Sequence, residues 1–345
     1  MSHRLVELAI AGRELTGAQS EELMEELLSG RLLTAEIVQI LAALNARPYR
    51  GQELAGFARA MRTHAARVFA EGEMLPENMV DTCGTGGDDS GTFNISTAAA
   101  IVASAAGARV AKHGNRAASS KCGSADVLEA LGVRIDLPFE QVGRGIREIG
   151  IGFLFAQAAH TATRHATPAR KQIGTRTVFN LLGPLTNPAR AQAQVLGVFS
   201  PDVVDVVAEA LAELGTEYAL VVHGAGKLDE ISLAGPTIVA EVRAGSIRRF
   251  RVTPEEFGKT MAPMAPIQGG GLAENATLIR ALLSGVGESM EDVARSDIVV
   301  VNASAALVAA GVAGNFREGA ELAEKALQNG SAARKLEALR RYGVP

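Results

Sequence analysis

The chain has 345 residues, 47% of them hydrophobic, and its 34 basic and 38 acidic residues leave a formal net charge of -4 at pH 7. This length is sufficient for one or two large buried cores, and the absence of a basic block argues against nucleic acid as the main partner. Two cysteines are too few for a disulfide framework or a cysteine-based zinc site, and no signal peptide or membrane-spanning apolar run is found. We therefore expect a cytoplasmic protein without a membrane partner.

The first 70 residues predict helices only. Thr16 and Gln19 form a capping-box pattern ahead of apolar residues at helical spacing, and Gly30 lies where that helix would end. Apolar spacing predicts a second helix around residues 37–44 and a third after Gly51. No strand pattern interrupts this region.

After Pro76, short apolar runs alternate with helical patterns, which is typical of a largely parallel sheet with helices around it. Strands are predicted at residues 79–83, 108–112, 133–136, 151–156, 194–199 and 218–224, and helices after Ser96, Ser124, Pro138 and Pro201. A β-hairpin around Ala244-Gly245 is predicted at 236–252, with helices from 273 to 342.

The polar, proline-containing stretch 160–190 is predicted to pack back on the N-terminal helices. The expected fold class is α/β, with a small all-helical domain beside a large α/β domain that has a central, mostly parallel sheet. The helical domain would comprise residues 1–70 joined by about 163–190, and the α/β domain 71–162 and 191–345. Ligands are expected in the cleft at the carboxyl ends of the strands.

A glycine-rich segment, DTCGTGGDDSGTFNIST at 81–97, follows the first predicted strand and precedes a helix. Its backbone N–H groups and the helix N-terminus would present a positive potential suited to phosphate. It is neither common nucleotide loop, because Asp89 replaces the third glycine of G-x-G-x-x-G and no Gly-Lys-Ser/Thr follows. A tight turn without a ligand, with Asn94 and Ser96 acting only as helix caps, is the alternative.

The next predicted strand leads into KHGNRAASSKCGSAD at 112–126, which is dense in basic and hydroxyl side chains. Parallel strands place their carboxyl ends at one edge of a sheet, so this loop would lie beside the glycine-rich loop. Two such loops suggest a polyphosphate ligand. A polar surface loop is the alternative.

Three other sets of polar residues could either bind a ligand or have only a structural role. His160, Arg164 and His165 lack the spacing of a zinc site, and His165 is as readily a structural histidine between domains. Arg170 could pair with a carboxylate ligand. Asp229 and Glu230 could hold Mg²⁺ together with substrate phosphates, although such a pair is often only a solvated turn.

Six segments form a specific combination: GTGGD at 84–88, NIST at 94–97, KHGNR at 112–116, GSADVLEALG at 123–132, RTVFNLLGPLTNPA at 176–189 and LDEIS at 228–232. Together they closely resemble the anthranilate phosphoribosyltransferases of tryptophan biosynthesis, over almost the entire chain. The resemblance implies a homodimer of two-domain subunits. It also implies transfer of phosphoribose from phosphoribosyl pyrophosphate (PRPP) to the amine of anthranilate, with release of pyrophosphate and two Mg²⁺ ions per active site.

The resemblance also implies roles for individual residues. Lys112 and Asp88 would stabilise the diphosphate and the transition state. Ser96 would bind one magnesium, and Asp229 and Glu230 the other. The PRPP site would comprise Gly84, Gly87, Asp88, Thr92, Asn94, Ile95, Ser96, Thr97, Lys112, His113, Gly114, Asn115, Arg116, Ala117, Ala118, Ser119, Ser120 and Ser124. Anthranilate would contact Gly84, Asn115, Arg170, His113 and His160.

The departures from the family pattern are few. Asp89 stands where glycine is common, Gln157 where proline is common, and Lys227 where a glycine often precedes the leucine. Two other functions are compatible with a related fold. A pyrimidine nucleoside phosphorylase would carry Lys-x-Ser-Gly-Arg in place of KHGNR, and a non-catalytic nucleic-acid-binding relative would have a basic groove and no magnesium ligands.

Overall fold

The structure is a computed structural model that describes residues 3–117, 121–285, 287 and 289–344. The predicted site residues Ala118, Ser119 and Ser120 lie outside the described residues. The N-terminal region forms four helices, α1 (His3–Ile10), α2 (Gly17–Ser29), α3 (Thr34–Asn45) and α4 (Gly51–Thr63). The capping box of Thr16 and Gln19 is confirmed, and Gly30 ends α2 with a left-handed φ of 75°.

The remaining chain forms a seven-stranded sheet, eleven further α-helices and four short 3-10 helices within the described residues. The strands are β1 (Met79–Gly84), β2 (Arg109–Gly114), β3 (Ile151–Phe155), β4 (Ala193–Gly197), β5 (Tyr218–His223), β6 (Thr237–Arg243) and β7 (Ser246–Val252). The helices are α5 (Ile95–Ala105), α6 (Ser124–Ala130), α7 (Phe139–Glu148), α8 (Ala156–Ala159), α9 (Thr167–Ile173), α10 (Phe179–Leu185), α11 (Val204–Glu213), α12 (Leu272–Leu283), α13 (Met290–Ala309), α14 (Phe316–Gln328) and α15 (Ser331–Arg341).

The strand order is β3-β2-β1-β4-β5-β6-β7, with β1 to β5 parallel and β6 and β7 antiparallel. The mostly parallel sheet and the helical N-terminal region confirm the expected fold class. Because β1 and β2 are parallel neighbours, the loops that follow Gly84 and Gly114 leave the same edge of the sheet.

The strand predicted at 133–136 is wrong. Val133 and Ile135 are buried, as the alternation of apolar and polar residues suggested, but the segment is irregular. Both side chains belong to the core on the α5 face of the sheet, so their burial comes from side-chain packing and not from strand pairing.

Two large cores lie on opposite faces of the sheet. Along β4, Val195 faces the core made with α5 and the C-terminal helices, whereas Leu196 faces the core that contains α1 to α4. The second core also includes apolar residues of α9, α10 and α11. Among the described residues, no helix combines the length and apolar character needed to cross a membrane.

The β6–β7 hairpin turns at Ala244 and Gly245, with φ values of 47° and 80°. Positive φ at both central residues is the type I′ turn, which favours Asn-Gly and disfavours alanine at the first position. We expect Ala244→Asn to stabilise the protein by about 0.5–1 kcal/mol and to raise its thermal midpoint slightly. The β-branched Ala244→Val should lower the midpoint; a similar effect of both substitutions would contradict this turn type.

Candidate active site

A cavity of about 450 Å³ lies at the carboxyl ends of β1, β2 and β5. The glycine-rich loop forms one wall, the loop after β2 a second, and the Asp229–Glu230 segment a third. The predicted site residues that line it are Gly84, Gly87, Asp88, Thr92, Asn94, Ile95, Ser96, Thr97, Lys112, His113, Gly114, Asn115, Ser124, Asp229 and Glu230. Residues from three separate regions of the chain therefore share one cavity.

The glycine-rich loop is joined directly to the acidic segment. Gly86 and Gly87 adopt left-handed φ values of 63° and 74°, which glycine reaches without strain. The Gly86 N–H donates to Asp229 Oδ2 at 3.0 Å, and the Asp229 N–H donates to Asp88 Oδ2 at 3.2 Å. These two bonds fix the position of one loop relative to the other.

The N-terminus of α5 contributes backbone donors to the cavity. The Ser96 N–H donates to Glu230 Oε1 at 3.0 Å, and the Asn94 side-chain amide donates to the Cys122 carbonyl at 3.0 Å. The N-terminus of a helix carries a partial positive charge that favours anions. The Glu230 carboxylate already accepts from one of these N–H groups, so the site combines a helix N-terminus that favours anions with an acidic side chain.

Lys112 brings a cation beneath the cavity. Its side chain is buried, and its ammonium donates to the Thr82 carbonyl at 2.5 Å and to Ser96 Oγ at 3.3 Å. Burial lowers the pKa of Lys112, whereas nearby acidic groups, led by Asp81, oppose that shift. The Lys112 ammonium therefore lies close to acidic groups that belong to other segments of the chain, among them Asp81 and Glu230.

The carboxylates of Asp88, Asp229 and Glu230 lie close together. Burial, followed by the negative charges of Asp88 and Glu230, raises the pKa of Asp229 well above its usual range. Burial also raises the pKa of Glu230 to about 7, against the opposing effect of Lys112. Without a neutralising cation, this concentration of negative charge is unfavourable.

The donor set fits Mg²⁺ bound with a substrate phosphate. Within the described ranges, no group of three or more His, Cys, Asp or Glu side chains is arranged to enclose a metal ion. Mg²⁺ does not need such a group, because it usually takes one or two carboxylates, water and phosphate oxygens. Burial and like charge disfavour the ionised forms of Asp229 and Glu230, and a divalent cation bound here would offset that negative charge.

Two neutral histidines lie behind the loop after β2. The rings of His113 and His160 are 5.2 Å apart in an edge-to-face arrangement. His113 Nδ1 lies 3.1 Å from the Gly183 carbonyl, which only accepts, so Nδ1 carries the proton and Nε2 a lone pair. Burial lowers the pKa of His113 to about 3 and that of His160 to about 4. Neither ring is therefore charged at neutral pH.

Arg116 and Arg170 do not line the cavity in the described part of the chain. The Arg116 guanidinium pairs with Asp126 at 2.9 Å and Glu129 at 2.5 Å, which directs it to α6. The Ala117 N–H also donates to Asp126, at 2.9 Å. The Arg170 guanidinium lies over the Phe179 ring, 5.1 Å from its centroid, and has no carboxylate partner among the described residues.

Comparisons with known proteins agree along the whole chain. The sequence model of the glycosyl transferase family, helical bundle domain, matches residues 4–65, and that of the family's a/b domain matches residues 76–333. The anthranilate phosphoribosyltransferase of Symbiobacterium thermophilum is 49% identical over 331 residues, which are 96% of this chain and 94% of the relative. This chain belongs to the anthranilate phosphoribosyltransferase family.

Solved structures of anthranilate phosphoribosyltransferases have the same fold. The crystal structure from Thermus thermophilus is 46% identical, with a TM-score of 0.90 over 98% of each chain. The Saccharomyces cerevisiae enzyme in complex with PRPP and Mg is 27% identical, with a TM-score of 0.87 over 98% of this chain and 97% of that one. The same yeast enzyme in complex with 4-fluoroanthranilate has a TM-score of 0.82 at 26% identity, over 95% of this chain and 93% of that one.

Two departures from the anthranilate phosphoribosyltransferase pattern have left-handed backbone. Asp89 has a φ of 57° and Lys227 a φ of 64°. Glycine adopts this conformation without the steric penalty of a side chain, which is consistent with the glycine expected at both positions from the resemblance. In this chain aspartate and lysine adopt it.

Sequence reasoning missed several residues that support the loops around the cavity. Asn275 donates to Asn94 Oδ1 at 3.3 Å and accepts from the Gly270 N–H at 2.8 Å. Gln268 donates to the Ser90 carbonyl at 3.1 Å, and Arg176 donates to the Gly87 carbonyl. The glycine run 269–271 signals a close backbone approach, but nothing in its spacing identifies the loop that it approaches.

Proposed function

We propose that this protein transfers the phosphoribosyl group of PRPP to the amine of anthranilate, giving N-(5-phosphoribosyl)anthranilate and pyrophosphate in tryptophan biosynthesis. The observation that carries the proposal is one cavity that combines a glycine-rich loop, a helix N-terminus, a buried lysine and the Asp229–Glu230 pair. These groups suit a diphosphate bound with magnesium. The 49% identity to a relative named for this activity supports the same reaction.

The diphosphate is assigned to the loop of Gly84 to Asp88, the start of α5 and Lys112. Displacement of pyrophosphate builds positive charge on the ribose and negative charge on the leaving group, so fixed donors at the diphosphate lower the barrier. Two Mg²⁺ ions, one at Ser96 and one at Asp229 and Glu230, would neutralise the leaving group when bound. The Ser96 N–H holds Glu230 of the acidic segment, and the buried Lys112 ammonium donates to Ser96 Oγ.

Anthranilate is assigned to the side of the cavity at Asn115 and His113. Arg170 would bind its carboxylate after moving from Phe179, because a partly buried guanidinium without a carboxylate partner favours an anionic ligand. Neutral His113 supplies a polar wall without charge, and neutral His160 packs against it at 5.2 Å without lining the cavity in the described part of the chain. The aromatic amine is unprotonated at neutral pH, so holding it in line with the anomeric carbon suffices and no general base is required.

The quaternary and cellular context belongs to the same proposal. The active form would be a cytoplasmic homodimer in which residues 1–70 and about 163–190 form a helical domain. The proposed helical domain is supported by the core that apolar residues of α9 and α10 share with the first four helices.

The test follows anthranilate fluorescence after PRPP is added, first with Mg²⁺ and then with excess EDTA. We expect a magnesium-dependent loss of fluorescence with equivalent pyrophosphate release, abolished by EDTA and restored by added Mg²⁺. Phosphorolysis of thymidine or uridine without turnover of anthranilate would identify a pyrimidine nucleoside phosphorylase instead. Tight binding of single-stranded nucleic acid with neither reaction would identify the non-catalytic relative.

A further inference from the structure

Gln157 contacts a residue of the cavity from the neighbouring strand. Asn115 follows β2 and Gln157 lies in α8, directly after β3, and these strands end side by side at Gly114 and Phe155. Gln157 Nε2 donates to Asn115 Oδ1 at 3.2 Å. The sheet register therefore brings two exposed amides together at the rim of the cavity.

The contact determines which end of the Asn115 amide is available. Asn115 Oδ1 also accepts from the Arg116 N–H at 2.8 Å, so two donors occupy the two acceptor positions of this oxygen. Among the described residues, nothing accepts from Asn115 Nδ2, although Asn115 lines the cavity. The side chain thus presents hydrogen-bond donors, and no acceptor, to a ligand.

We propose that Gln157 is a positioning residue for the acceptor substrate, which holds Asn115 so that its Nδ2 donates to the carboxylate of that substrate. The inference rests on the proposed function. Because both side chains are exposed, water competes for the bond, and its loss should have a moderate effect.

The first experiment measures kcat and the KM values for both substrates in Gln157→Met, which keeps the length of the side chain and removes the donor. We expect KM for anthranilate to rise about three- to tenfold, the range of one hydrogen bond, while kcat and KM for PRPP change less than about twofold. Gln328→Met is the matched control, since Gln328 is exposed at the end of α14, and it should leave all three constants unchanged.

Gln157→Glu tests whether the side chain at position 157 lies near the substrate carboxylate. Glutamate has nearly the same shape but cannot donate to Asn115 Oδ1, which keeps its bond from the Arg116 N–H, and its negative charge would repel a carboxylate bound at Asn115. We expect a larger loss for anthranilate than in Gln157→Met, and a smaller loss for the uncharged 2-aminobenzamide. Equal losses for the two acceptors would contradict an effect on carboxylate recognition.

A double-mutant cycle with Asn115→Ala decides whether Gln157 acts through Asn115. Dissociation constants for anthranilate, measured by calorimetry with Mg²⁺ and pyrophosphate in place of PRPP, are free of heat from turnover. Gln157→Met should have no further effect in the Asn115→Ala background, and an undiminished effect there would overturn the proposal. Unchanged constants for Gln157→Met with normal wild-type turnover would refute this inference alone, whereas absence of wild-type turnover would refute the proposed function.

Discussion

Replacing Gly197 with alanine is expected to lower kcat/KM for PRPP by about 100-fold or more, because displacing positioning groups by about 1 Å can cost that factor. Gly197 ends β4 beside Gly84 of β1. A Cβ atom on Gly197 would overlap the Asp229 carbonyl oxygen, so the segment with Asp229 and Glu230 must move. The measurement is steady-state kinetics at several Mg²⁺ concentrations, with the thermal midpoint recorded in parallel.

Gly271→Ala is the matched control for this substitution. Gly271 has an ordinary φ of -72°, and the nearest atom to an added Cβ is Glu274 Oε2 at 3.8 Å. We expect kcat/KM to change less than about twofold, as for most substitutions without a steric conflict. If Gly197→Ala were as active as Gly271→Ala, the exact position of the acidic segment would not matter for the reaction.

Replacing Asp229 with asparagine is expected to raise the Mg²⁺ concentration for half-maximal activity at least about tenfold, since even indirect partners of metal ligands contribute about 10- to 100-fold to affinity. Asparagine can still accept from the Gly86 N–H, so the glycine-rich loop should keep its position. Activity should be recovered in part at high Mg²⁺. The measurement is a Mg²⁺ titration of the initial rate at saturating PRPP.

The same substitution should raise the thermal midpoint without Mg²⁺. The pKa of Asp229 is raised in the folded protein, so its ionised form opposes folding at pH values above the ordinary pKa of the carboxyl group. Removing that charge relieves repulsion from Asp88 and Glu230. Glu213→Gln is the control, because Glu213 is an exposed carboxylate at the end of α11 and should affect neither quantity. An unchanged Mg²⁺ requirement in Asp229→Asn would exclude a role in metal binding.

Local signals in the sequence predicted many of the elements correctly. Thr16 and Gln19 cap α2 as expected, and Gly30 ends it, because these interactions depend on residues within one or two turns. The glycine-rich loop was predicted for the same reason, since strand, glycines and helix start are contiguous. The strand at 133–136 was not correctly predicted, because apolar alternation indicates that Val133 and Ile135 are buried but not whether their backbone pairs with a strand.

The candidate site depends on contacts between distant parts of the chain. The motifs marked Asp229 and Ser96 separately, but only the fold places Asp229 against Gly86 and Glu230 against Ser96. The pairing of charges also depends on the fold. Arg116 is a cation of the kind that binds phosphate, yet Asp126 and Glu129 hold its guanidinium against α6. The spacing of residues along the chain does not show which acidic side chain or ligand a given basic side chain will pair with.

The amino-acid sequence therefore determined the fold class and the positions of the two polar loops, because glycine positions, helix caps and apolar periodicity act over a few residues, and its six motifs carried the resemblance to the family. Only the tertiary structure decided which groups line the same cavity, how deeply they are buried and which hydrogen bonds they can make. It buries Lys112 among acidic groups, raises the pKa of Asp229 by burial and like charge, and leaves Nδ2 of Asn115 as a donor beside Gln157. Each of these properties follows from burial and proximity, which arise when the parallel strands bring separate loops to one edge of the sheet.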